Sequence, residues 1–239
     1  MKTSHKRLQR AALVACAAAL AATCAALVAV PAVDHDRAVR LATPYTATGE
    51  PQETLLDIPQ AWLYAVPLAV CLVMIVRLRR RPDRRPLWVL LAAVTVWLLW
   101  RELPYSERLI GSCSFSWAKY LGDSGVPLGL RVAVGAATMA FTAGVAVYAI
   151  VKRRALLALV REKVPSFSAG CLVLSGLALV VAQMLDKHRT TDRLFGTAIT
   201  AWDLKDYCEE SLELVGVVLL GMACIMAAVE EPPTNAEPS

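Results

Sequence analysis

Histidine is the scarcest chemistry-bearing residue in this chain: three among 239 residues, His5, His35 and His188. None falls in the middle of an apolar run, so no helix offers a buried imidazole to haem, and a multi-histidine zinc centre has no ligands inside the helices. No HExxH, no CxxC and no glycine-rich phosphate loop is present, which excludes the motif-borne zinc, thiol-redox and nucleotide chemistries. Neither haem nor a nucleotide cofactor is therefore expected. Charge is thin at 19%, below the quarter usual for a soluble domain, and no internal repeat marks a rod or solenoid.

Apolar residues are what the chain has in excess. They make up 57% of it, mean hydropathy is +0.51, and they are gathered into blocks. A bilayer core of about 30 Å needs about 20 helical residues. Six segments approach that length, residues 11–30, 59–76, 86–103, 128–150, 166–185 and 211–229. The sequence therefore predicts an all-α fold, a polytopic transmembrane bundle of six helices forming one domain over residues 1–229. A disordered cytoplasmic tail is expected over 230–239, where three prolines fall. Small residues at helix-packing spacing, Ala136, Ala140 and Gly144, or Gly170 and Gly176, are expected to let helices approach closely.

Lysine and arginine set the expected orientation. The N-terminus, the connection Arg77-Leu-Arg-Arg-Arg-Pro-Asp-Arg-Arg85 and the connection around Lys152–Lys163 hold fifteen of the 25 basic residues. With the C-terminal tail, the same side carries only five of the 20 acids, so one face has net charge +10 and the other −5. The positive-inside rule then places both termini in the cytoplasm of a bacterial inner membrane, with residues 32–58, 104–127 and 186–210 outside. The basic excess is read as this topology signal and not as nucleic-acid binding. Trp62, Tyr64, Trp88, Trp97 and Trp100 sit near helix ends, the depth that amphipathic rings prefer. Phe115-Ser-Trp117 and Ala201-Trp202 suggest short surface helices in the outer loops. The first block has features of a signal peptide, with Val30-Pro31-Ala32 at its end. Its 20-residue apolar run exceeds the usual length of about 7–15, so it is read as a retained helix.

The chemistry is expected at one depth. Arg101 and Glu102 come only 15 and 16 residues after Pro86, about 23 Å along the helix axis. Glu213 lies equally far from the other end of the last helix. Arg131, Gln183, Asp186, His188, Glu209 and Glu210 fall near the same outer level. Charge within a bilayer costs a few kcal/mol per residue, so such groups are expected to turn inward and find partners. Glu209 and Glu213, four apart, share a helix face. Helix-start acids are also stabilised by the macrodipole without any function, which suffices for Glu209 and Glu210 but not for the deeper Glu102 and Glu213.

The expectation is an outward-facing polar pocket for a cation or a polar lipid headgroup, with Glu102 and Glu213 facing each other. A divalent metal is a candidate ligand through His188, Glu102, Glu213 and His35. The competing readings are a membrane-embedded hydrolase acting on outer-leaflet lipid, with Glu102, Glu213 or His188 as acid–base groups, and a small transporter. Of seven cysteines, only Cys113 and Cys208 fall in outer loops, so a Cys113–Cys208 disulfide is expected in an oxidising exterior. Membrane lipid is the expected partner. Trp100-Arg-Glu102 closing one helix and Glu209-Glu-Ser-Leu-Glu-Leu-Val-Gly216 opening the last resemble patterns in uncharacterised bacterial six-helix membrane proteins. The resemblance implies an integral membrane protein and carries no activity.

Overall fold

A computed structural model describes residues 2–34, 36, 38–39, 57–102, 127–163, 166–186, 191–193, 196 and 204–231. Among them the protein is all-helical, with no strand. The helices are α1 (Lys2–Val33), α2 (Asp57–Leu63), α3 (Ala65–Arg77), α4 (Arg85–Glu102), α5 (Leu128–Val151), α6 (Arg153–Lys163), α7 (Phe167–Asp186) and α8 (Lys205–Glu230). Among the described residues, five stretches are long and apolar enough to cross a membrane: α1 from Gln9, α2 with α3 from Pro59, α5, α7 and α8. The sixth expected span, α4, is a helix of 18 residues whose ends carry Arg85, Arg101 and Glu102.

The expected second helix is present as the span Pro59–Arg77, with one local interruption at Tyr64. Pro67 has no N–H for the carbonyl of Leu63, while Tyr64 N–H still donates to the Gln60 carbonyl and Leu68 N–H to the Tyr64 carbonyl, at 3.2 and 3.3 Å. One buried face runs along it: Gln60, Tyr64, Pro67, Cys71, Met74 and Leu78 are all buried, at the i, i+4, i+7 spacing of a helical stripe. The connection expected after the fourth span holds a further helix, α6.

The chain forms two compact units, Met1–Val70 with Lys163–Ser239, and Cys71–Glu162. At the heart of the first is α8, with 61% of its most apolar stretch buried against 6% for α1. Helices α7 and α1 pack on it around Cys16, Cys171, Leu219, Met222, Ala223 and Met226.

Because α7 and α8 are antiparallel, polar pairs tie them at three levels. Ser168 Oγ donates to Glu230 Oε2 at 2.7 Å, Ser175 Oγ to the Gly216 carbonyl at 2.7 Å, and Gln183 Nε2 to Glu213 Oε1 at 3.4 Å. The middle tie needs Gly216, where a Cβ would stand 2.9 Å from both Cγ and Cδ2 of Leu179. Among the described residues nothing stands within 4 Å of where a Cβ would go at Gly144, Gly170 and Gly176, and Ala136 and Ala140 are exposed. Small residues occur on several helix faces, and only the rotation of each helix decides which face meets a neighbour. Glu230, expected as the first residue of the tail, instead ends α8 and accepts the Ser168 bond. Residues 232–239, Phe115–Trp117 and Ala201–Trp202 lie outside the described residues.

In the second unit α4 packs on α5, whose buried positions Arg131, Gly135 and Thr138 again follow helical spacing. Arg84 Nη2 reaches both carboxylate oxygens of Glu162, at 3.0 and 3.3 Å, and so fastens the arginine-rich connection to α6.

Candidate functional site

Glu213 is the most deeply buried acid of α8, only 4% exposed and just over two turns into the helix. Two carboxamides serve its two oxygens. Gln60 Nε2, from α2, donates to Oε2 at 3.1 Å, and Gln183 Nε2, from the last turn of α7, donates to Oε1 at 3.4 Å. Gln60 itself is completely buried. A carboxylate removed from water loses several kcal/mol of hydration unless hydrogen bonds replace it, and two amide donors begin that replacement.

Helix geometry explains how the three meet. Pro59 lies in the first turn of α2, where its missing N–H costs nothing, and Gln60 follows on the face shared with buried Tyr64 and Pro67. Gln183 lies beside fully buried Ala182 on the face of α7 that meets α8. Thr191 Oγ1 donates to the Met184 carbonyl at 2.7 Å and so satisfies a backbone acceptor in the same last turn.

One turn before Glu213, Lys205 Nζ lies 3.6 Å from Glu209 Oε2 and also contacts Asp206. Sequence reading starts this helix at residue 211. The structure starts it at Lys205, which makes Lys205 and Glu209 an i, i+4 pair. Glu210 is half-buried beside them, and Asp186 closes α7.

The sequence-predicted residues thus divide. Gln183, Asp186, Glu209, Glu210 and Glu213 belong to the first compact unit, with Gln183 and Glu213 in direct contact. Arg101, Glu102 and Arg131 belong to the second, where Arg131 is buried and Arg101 half-buried. His35 and His188 lie outside the described residues. Among the described residues no group of three or more His, Cys, Asp and Glu side chains converges as a metal centre would require.

Gln60 was missed by sequence reading. Its only signal is an uncharged polar residue in an apolar helix start, four residues before a tyrosine, and such residues are common near membrane interfaces.

The expected Cys113–Cys208 disulfide is not formed. Cys208 is a free thiol, fixed within the first turn of α8 and not in a loop, and Cys113 lies outside the described residues. The premise that Cys208 lies in an outer loop fails, because α8 begins at Lys205.

The fold and composition define a helical membrane protein. No family model, no characterised protein and no solved structure matches the chain.

Proposed function

We propose that this is a six-helix inner-membrane protein, both termini cytoplasmic, with an outward-side site centred on Glu213 that binds a small oxygen-coordinated cation. The observation that carries the reading is a nearly buried carboxylate with Gln60 and Gln183 on its two oxygens. A carboxamide turned by half a rotation exchanges its N–H donors for a carbonyl oxygen. The same three side chains then present carboxylate and amide oxygens, the ligands that hard cations prefer over the nitrogen and sulfur of zinc or iron sites. A cation there offsets the desolvation of Glu213, and binding and stability are therefore linked.

The test is thermal unfolding of the purified protein in detergent, in choline chloride and then with sodium, potassium, magnesium or calcium chloride at matched ionic strength. One cation should raise the melting temperature of the native protein and leave Glu213→Gln unmoved. No cation-specific shift, or an equal shift in Glu213→Gln, would overturn the proposal. Support for the topology comes from the distribution of basic residues and from α4, which carries no charge from Pro86 to Trp100 and is therefore included as the sixth crossing.

A further inference from the structure

Helix α6 is set apart by its length and its surface. Its eleven residues are too few to cross a bilayer, and Lys152 alone separates it from α5. Leu156 and Leu159 are buried on one side of it. On the adjoining arc, Leu157 is 54% exposed and Val160 47% exposed, and exposed Arg153, Arg154 and Arg161 share that arc at helical spacing. Glu162 is the only acid of α6 and falls on another side, where Arg84 holds both its oxygens. That ion pair leaves the arc carrying only positive charge. It also brings up the connection that bears exposed Arg79 and Arg80, and none of these five exposed arginines forms an ion pair among the described residues.

We propose that this arc is a binding surface for anionic phospholipid, with Leu157 and Val160 seated at the acyl boundary and Arg153, Arg154 and Arg161 on headgroup phosphates. A short helix with exposed apolar side chains flanked by guanidinium groups lies in the interface plane, and here it starts one residue after a helix long enough to span the membrane. A soluble polyanion accounts for the arginines but gives Leu157 and Val160 no apolar environment. The inference is independent of the Glu213 site.

Native mass spectrometry of the full-length protein in detergent, titrated separately with phosphatidylglycerol and phosphatidylcholine, tests it. The native protein should retain phosphatidylglycerol preferentially. Each basic group near an anionic headgroup contributes about a factor of five in affinity, so R153Q/R154Q/R161Q should lower that preference about a hundredfold. The corresponding lysine triple, with charge and topology signal unchanged, should keep most of it. Should the glutamine triple fail to insert, the L157Q/V160Q pair, which alters no charge, should still reduce phosphatidylglycerol retention several-fold. Equal retention of the two lipids, an unchanged preference in the glutamine triple, unchanged retention in L157Q/V160Q, or displacement of the lipid by millimolar inorganic phosphate or a short oligonucleotide would each overturn the proposal.

Discussion

The hydroxyl of Tyr207 donates to the backbone carbonyl of Leu27 across 2.8 Å, and this carbonyl is the one that Pro31 leaves without its helical partner. In an α-helix the carbonyl of residue 27 accepts from the N–H of residue 31, and proline has none. A side chain from α8 supplies the missing donor, in a cluster with Ala38, Val30 and Leu204. The proline and the tyrosine, 176 positions apart, thus form one device that docks α1 on α8.

Tyr207→Phe should therefore destabilise the protein by about 1–2 kcal/mol, since it leaves a partly buried acceptor unmet. Pro31→Ala restores an amide at that carbonyl, and in its background Tyr207→Phe should cost little. A double-mutant cycle on detergent unfolding midpoints measures the coupling. Additive effects would show the bond to be incidental.

Gln60 and Gln183 should differ in their importance to Glu213. Gln60 is fully buried and 3.1 Å away, whereas Gln183 is half-buried and 3.4 Å away. Gln60→Ala should cost about 1–3 kcal/mol and Gln183→Ala less, and Gln60→Ala should reduce the cation response at least about tenfold. Equal, negligible effects would show that neither amide supports the carboxylate.

Gly216→Ala should destabilise the α7–α8 pair by about 1–3 kcal/mol, because the new methyl meets Leu179 at overlapping distance. Gly176→Ala is the control: nothing stands near its Cβ position, and helix propensity makes the change neutral or mildly stabilising. Unfolding midpoints of the two variants decide the matter.

A single cysteine placed at Arg80 in a background without other accessible thiols should be labelled from the cytoplasmic side only. Cysteines placed within residues 104–126 should be labelled from outside. Labelling of position 80 in intact cells by a membrane-impermeant maleimide would reverse the topology.

Non-reducing and reducing electrophoresis of protein made under oxidising conditions should give the same mobility. Cys208, a free thiol within the first turn of α8, should incorporate maleimide after denaturation without prior reduction.

The sequence alone determined the helical class, most helix positions and the clustering of basic residues, because these follow from residue type read along the chain. A run such as Leu128–Val151 is long and apolar whatever surrounds it, and its backbone must satisfy its own hydrogen bonds. Gln183 and Glu213 were also among the nine residues the sequence grouped by distance along their helices, since about 1.5 Å per residue needs no neighbour. Tertiary structure alone decided which faces meet. Gly216 meets the Leu179 side chain closely, Gln60 from α2 donates to Glu213, and Tyr207 supplies the donor that Pro31 lacks. These depend on how each helix is rotated about its axis and on where α2 and α8 begin. Hydrophobic periodicity fixes the rotation of a helix poorly when lipid and protein interior are equally apolar, so only packing selects the face.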